Sequence, residues 1–300
     1  MGAPLLPLRC RRATQRELRD VVRYRKRLIE ERAREANRVQ KVLETANIKL
    51  GGVVTDVLGV SARGMLKALI AGAGTPEELA ELAHRSLRRK RPVLADALTG
   101  RITAHHRFML DQLLHHIEFL DAAIATCDGR IAACTAADAE AVARLDTIPG
   151  VARRTAETIV AELGCDRTRF PTAGHAASWA GLGPGNHESA GKRLSGRTRF
   201  ANRILRQALV ESARGAVFKH DSYLAAQYRR LVKRRGDKKA IVAVAHSLLV
   251  IAYHVLREGQ SYRELGCDYF DHRNAQRLTR YHTQRLAALG YEVTLTKSVA

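Results

Sequence analysis

The sequence has few cysteines and no long uninterrupted apolar run. None of its five cysteines forms a C-x-x-C pair, which favours a reducing compartment and excludes a disulfide framework. The apolar start before Arg9 is too short for a signal peptide. The longest apolar stretch, residues 240–256, is broken by His246 and His254 and falls short of a bilayer span. It predicts a buried helix, and we expect no membrane as a partner.

Recognisable metal-ligand spacings are also missing. Histidine pairs at 105–106 and 115–116 lie near Cys127, but their spacing matches no zinc template. We therefore expect surface or packed histidines there, and neither a metal site nor a cofactor site within this chain.

Acidic residues are scarce relative to basic ones. Lys and Arg together number 51 against 30 Asp and Glu, so the formal net charge is +21. This surplus predicts a polyanionic partner such as DNA, because each neutralised phosphate releases condensed counterions. Arginine predominates among the basic residues, which is typical of a G+C-rich bacterial genome. We expect a cytoplasmic protein associated with the nucleoid.

Heptad periodicity predicts a mostly α fold. Apolar positions recur at steps of three and four from Leu18 to Leu50, interrupted by Arg25 and Arg32, and again without interruption over residues 110–134. Two such helices predict either an antiparallel helical hairpin or a dimerising coiled coil, and the second seam suggests a homo-oligomer. Thr75-Pro76 marks a further helix start.

Strand signals are few, and the chain divides by composition. The only strand patterns are residues 53–58 and 291–297. We expect a helical, coiled-coil region over residues 1–140. A helical DNA-binding domain with a helix-hairpin-helix and a glycine-rich serine loop should follow over residues 141–300.

The segment Ile148-Pro149-Gly150-Val151 has the hydrophobic–x–Gly–hydrophobic form of a helix-hairpin-helix turn. Gly150 permits the tight turn, and the N-terminus of the next helix offers N–H groups to phosphate. Arg153 and Arg154 add positive charge. The alternative is an ordinary turn between two helices that happens to contain Pro-Gly.

A basic segment without any acid follows at residues 189–206. Its basic residues are Lys192, Arg193, Arg197, Arg199, Arg203 and Arg206. A phosphate-binding surface is the simplest explanation. Ser189 and Ser195 are candidate nucleophiles, because neighbouring cations could stabilise the charge that develops when a hydroxyl attacks a phosphodiester.

Motifs along nearly the whole chain resemble the insertion-sequence 110 family of transposases, described as bridge-RNA-guided recombinases. They are ELRD (17–20), YR (24–25), NRVQK (37–41), IPG (148–150), WAGL (179–182), ESAGK (188–192), SGRT (195–198), NR (202–203), LR (205–206) and YRELG (262–266). The resemblance implies that Ser189, rather than Ser195, is the covalent nucleophile. It also implies DNA and a guide RNA as partners.

The resemblance further implies a RuvC-like domain whose DEDD carboxylates bind Mg²⁺. No strand-borne carboxylate pair precedes Glu17. We therefore expect an N-terminally truncated transposase that is inactive alone, with residues 1–140 holding the tail of that domain and the dimerisation helices. A non-enzymatic nucleic-acid-binding protein, in which the turn and the basic segment only dock, is the main alternative. A purely structural coiled-coil protein would leave the serine segment unexplained.

Overall fold

The computed structural model describes residues 13–166, 169–183, 185, 187–195, 198 and 200–295. These residues form helices and two short strands, so the predicted mostly α fold class is confirmed. The helices are α1 (Ala13–Thr45), α2 (Leu50–Val53), α3 (Val60–Ala71), α4 (Pro76–Glu81), α5 (Arg91–Leu98), α6 (Ala104–Cys134), α7 (Ala139–Asp146), α8 (Arg153–Leu163), α9 (Ala173–Trp179), α10 (Arg203–Ala216), α11 (Tyr223–Arg235), α12 (Asp237–Glu258), α13 (Tyr269–Arg273) and α14 (Ala275–Ala288). The strands are β1 (His187–Ser189) and β2 (Lys192–Ser195), and short 3₁₀ turns cover Arg85–Lys90 and Ala136–Asp138.

The chain divides into two compact units. The long-helix unit is Asp20–Ala133. The serine unit consists of the described residues up to Arg19 together with those from Cys134 onwards. The predicted boundary at residue 140 lies within α7.

Helices α1 and α6 of the long-helix unit lie antiparallel to each other. Arg25 Nη1 is 2.7 Å from Asp128 Oδ1, and Arg32 binds Asp121 one heptad further along both helices. Each of the two arginines that interrupt the first seam thus forms an ion pair with an acid of α6. Of the two arrangements that the sequence left open, the pairing within one chain is the one observed.

The apolar side chains of the second seam are buried within the same unit. Ile117 is fully buried, and Ile124 packs with Leu28, Leu120 and Cys127. A dimer through this seam would need these side chains exposed, so the seam is not a dimer interface in this fold. Oligomerisation itself stays a prediction.

The short helices α2–α5 pack against one end of the long pair. The predicted start of α4 is confirmed, because Thr75 and Glu78 form a capping box. The predicted strand at residues 53–58 is wrong. Helix α2 ends at Val53, and Val54 and Val57 are apolar because they fill the core between helices.

Helix α12 forms part of the core of the serine unit. Nine of its residues are buried, which confirms the predicted buried helix. The helix is long and apolar enough to cross a membrane, but half of its apolar window is buried inside the protein.

The predicted strand at 291–297 is wrong in its described part: Tyr291 donates its N–H to Leu286 O and closes the end of α14. Residues 296–297 lie outside the described residues.

Candidate nucleic-acid interface

Gly150 lies in the turn between α7 and α8, where backbone geometry and packing both demand glycine. Its φ is +80°, and a Cβ there would lie 2.2 Å from the carbonyl oxygen of Ser212 and 2.6 Å from the amide nitrogen of Ala216. The flanking Ile148 and Val151 are buried. The turn therefore packs tightly against the C-terminal part of α10. Its membership of the helix-hairpin-helix class stays a prediction.

The two predicted arginines after this turn open α8 on the protein surface. Ala152 precedes the helix and contributes no side-chain cap to its first N–H groups. Arg153 and Arg154 are both exposed. Arg153 Nε lies 3.1 Å from Oε1 of the buried Glu157, so its charge is partly neutralised inside the protein.

The predicted glycine-rich loop contains a β-hairpin. Strands β1 and β2 are antiparallel, and Ala190 (φ +49°) and Gly191 (φ +73°) connect them. Two central residues with positive φ are typical of a type I′ turn, whose twist matches that of the flanking strands. We call residues 187–195 the serine hairpin.

Ser189 and Lys192 face each other across this hairpin. They are directly paired in the register, and both are exposed. Directly paired residues project to the same face with Cβ atoms about 5 Å apart. The hydroxyl and the ammonium group therefore share one side of the hairpin. Arg193 and Ser195 lie in β2, and Arg197 and Arg199 lie outside the described residues.

The two ends of the segment that carries the serine hairpin meet beside α9. The N–H of Asn202 donates to Trp179 O at 3.4 Å. The side chain of Asn202 then makes two further contacts: Oδ1 accepts the N–H of Leu205 at 3.1 Å, and Nδ2 donates to Glu162 Oε2 at 2.7 Å. One residue thus closes the segment, caps α10 and binds α8.

Glu162 is a fully buried carboxylate whose partner is Arg19. Arg19 Nε lies 3.0 Å from Glu162 Oε2, and the Arg19 side chain is itself only 5% exposed. Arg19 Nη2 also donates to the carbonyl oxygens of Ala161 and Glu162 at the end of α8. A buried charge is costly unless it is paired and hydrogen-bonded, so this network fixes α1, α8 and Asn202 together. Sequence reasoning missed it, although Asn202 before a helix is a capping pattern.

The remaining predicted arginines lie at the start of α10. Arg203 is exposed and Arg206 is half-buried, and residues three apart share one face of a helix. Positive charge is unfavourable at the N-terminus of a helix, where the macrodipole favours anions. An anionic partner for these arginines stays a prediction. The Gly150 turn packs against the other end of α10, near Ser212 and Ala216. These arginines and the turn thus lie at opposite ends of one helix.

The part of the chain that the structure describes contains no group of three His, Cys, Asp or Glu side chains placed to hold a metal ion. Cys127, which the sequence places near the histidine pairs, is buried in the long-helix unit, and this burial raises the pKa of its thiol.

Residues 142–229 match the family described as transposase IS116/IS110/IS902. This segment is therefore similar to the transposase domain of that family. It contains the Gly150 turn, Glu162, the serine hairpin and all of α10.

Curated relatives agree with this assignment. A putative transposase of Sinorhizobium fredii is 32% identical over 158 residues, which are 50% of this chain and 40% of the relative. The transposase for insertion sequence element IS1111A of Coxiella burnetii is 29% identical over 176 residues, covering 57% of this chain and 47% of the relative. A pilin gene-inverting protein of Moraxella bovis is 31% identical over 125 residues, covering 39% and 37%. The chain spans less than half the length of these relatives.

The YRELG motif lies outside the matched segment but contacts it at two points. The Tyr262 N–H donates to Thr147 Oγ1 at 3.0 Å, next to the Gly150 turn. Glu264 Oε1 accepts the N–H groups of Tyr223, Leu265 and Gly266 at 2.8, 3.0 and 3.2 Å. Burial, followed by the neighbouring Glu264 carboxylate, raises the pKa of Tyr262. These hydrogen bonds hold the start of α11 next to the turn.

Proposed function

We propose that this chain binds duplex DNA and acts in DNA transposition or recombination, with Ser189 as the nucleophile. The observation that carries the proposal is the pairing of exposed Ser189 with exposed Lys192 on one face of the serine hairpin, inside the segment that matches the transposase family. A hydroxyl at a tight turn can approach a phosphodiester closely, and the ammonium group stabilises the charge that develops on the phosphate oxygens.

The reaction is a transesterification. Ser189 Oγ attacks phosphorus, its proton passes to a base, and a P–Oγ bond forms. The bond between phosphorus and the leaving deoxyribose oxygen breaks, and that oxygen takes up a proton. The product is a phosphoserine link that keeps the energy of the phosphodiester for rejoining.

DNA would lie along α10 and contact both of its ends. Arg203 and Arg206 stand at the N-terminal end, and the Gly150 turn with Arg153 and Arg154 packs at the other, near Ala216. Ten residues of helix separate Arg206 from Ala216, a rise of about 15 Å. B-DNA carries one charge per about 1.7 Å of its axis, so a single duplex can contact both groups.

Mg²⁺ is not part of the step proposed here. The resemblance assigns that ion to the DEDD carboxylates of a RuvC-like domain. The acids that the structure describes form no such cluster, and Glu157 and Glu162 of α8 are bound to arginines.

Covalent trapping on labelled duplex DNA tests the nucleophile. Wild type, Ser189→Ala and Ser195→Ala are compared, both alone and after addition of the RuvC-like domain of a relative, which the resemblance requires for activity. With the RuvC-like domain present, wild type and Ser195→Ala should give a protein–DNA adduct on a denaturing gel, whereas alone they should give none above background. Ser189→Ala should give none while it binds DNA normally. An adduct that survives Ser189→Ala, or one formed by the chain alone, contradicts the proposal. DNA binding without any adduct even after the RuvC-like domain is added favours the alternative of a non-enzymatic binding protein.

Two further partners can be tested: a guide RNA, which the resemblance implies, and further copies of the chain, which the heptad periodicity predicts. An RNA duplex offers the same phosphates as DNA, so the same arginines should bind it. Competition between labelled DNA and RNA tests the first partner, and light scattering tests the second. A DNA-bound protein would be found with the bacterial nucleoid.

A further inference from the structure

Phe200 is an aromatic side chain left almost wholly in water. It is 99% exposed, against 81% for Val60 and 77% for Phe218, the next most exposed large apolar residues that the structure describes. A single exposed apolar residue is common on protein surfaces. Phe200 is unusual because it buries none of its ring and lies within the acid-free basic segment 189–206.

The backbone close to Phe200 is held firmly. Asn202, two residues further on, is fixed by Trp179 O, by the N–H of Leu205 and by the buried Glu162. Arg203, the first residue of α10, follows directly and is exposed. The exposed ring of Phe200 thus lies two residues before the fixed Asn202. The exposed Arg203 follows, and its charge would attract the phosphate backbone.

Among the groups that DNA presents, the bases offer the largest flat apolar surface to such a ring. Phosphates and sugars are bound by the arginines, whereas aromatic side chains stack on bases or enter between base steps of a duplex. Residue types used as such wedges include Phe, and the insertion kinks the duplex.

We propose that Phe200 contacts a nucleobase of the bound DNA, either between two stacked base pairs or on an unpaired base. The inference rests on the proposed DNA binding and adds to it a base contact that positions the backbone next to the serine hairpin. A residue that contacts a base makes no ionic contact, so its removal should weaken binding without releasing fewer counterions.

The test measures affinity, its salt dependence and the bend of the DNA. Wild type is compared with Phe200→Ala and Phe200→Trp. The matched control is Phe108→Ala, which removes a 60% exposed ring from α6. The probes are a mixed-sequence duplex with a fluorophore at each end and the corresponding single strand. Thermal unfolding of Phe200→Ala should match wild type, because the ring buries nothing.

Phe200→Ala should lose about tenfold in affinity for the duplex, the single strand or both, with an unchanged salt slope. Phe200→Trp should restore most of the affinity, and Phe108→Ala should bind as wild type does. If Phe200→Ala loses affinity for the duplex and also lowers the energy transfer between its labelled ends, the ring inserts between two base pairs. If it loses affinity for the single strand only, the ring contacts an unpaired base. If Phe200→Ala leaves both the affinity and the bend of the DNA unchanged, the inference is overturned but the proposed function still stands. The same holds if Phe200→Ala loses affinity together with a smaller salt slope. A wild-type protein that binds neither DNA overturns the proposed function as well.

Discussion

At the scale of single residues, Gly150 shows how one position serves both turn and packing. The chain needs a positive φ to pass from α7 to α8, and α10 approaches so closely that even a methyl group would overlap its backbone. Gly191 also has a positive φ, but a Cβ there would meet nothing within 4 Å. A side chain at Gly191 would therefore cost backbone strain alone, whereas one at Gly150 would cost both strain and overlap with α10.

Gly150→Ala should lower the free energy of unfolding by about 3–5 kcal/mol, since a strained φ and an overpacked contact add up. Gly191→Ala, the control, should cost only about 1–2 kcal/mol from strain. Chemical denaturation of both variants measures the difference. Equal losses would mean that α10 moves away from the turn at little cost.

Other single residues could not have been found from the sequence. Glu157 and Glu162 lie five residues apart on α8, and both are buried. Helical periodicity marks apolar positions, and it cannot show that an acid will be buried when its partner, Arg19, is more than a hundred residues away. Gly150 could be singled out because a local pattern reports a tight turn, and Ser189 because of its basic neighbours and the resemblance.

At the scale of helices and strands, heptad patterns predicted α1 and α6 but not how they pair. The arginines within the first seam gain a meaning only when Asp121 and Asp128 stand opposite them. The serine hairpin was predicted as a loop because strands of three and four residues are too short to show alternation. Burial of Asp121 raises its pKa, but hydrogen bonds from Arg32 and Arg63 outweigh this and hold the pKa below its usual value.

Asp121→Asn should therefore destabilise the protein by about 1 kcal/mol at neutral pH, a modest figure because Asp121 is partly exposed. A lowered pKa means that the carboxylate stabilises the fold above its unfolded pKa. This contribution is lost as the pH falls through the folded pKa. Denaturation from pH 7 down to pH 3 should show wild type and variant converging at the acid end. Asp111→Asn, on the same helix beside the exposed His115, should cost much less, and a constant gap across this range would rule out the ion pairs as the cause.

At the scale of the whole molecule, the net charge of +21 would set how strongly the proposed DNA partner is attracted, and the fold would set where it binds. Several acids are already bound to arginines within the protein: Glu157, Glu162, Asp121 and Asp128. Composition could predict a polyanionic partner. It could not predict that two groups of cations would be placed at the two ends of α10, because that depends on the packing of the Gly150 turn.

Duplex affinity should fall steeply with rising salt, because neutralising phosphates releases counterions. Arg203→Ala and Arg206→Ala should each weaken binding to every sequence and reduce the slope of log affinity against log salt by about one, as expected for the loss of one phosphate contact. Arg27→Ala serves as control, since it removes the same charge from an exposed position of the long-helix unit. Anisotropy titrations over a range of salt concentrations give all four slopes. If Arg27→Ala lowers the slope as much as the α10 variants do, the net charge binds DNA without a defined surface, and the path along α10 is wrong.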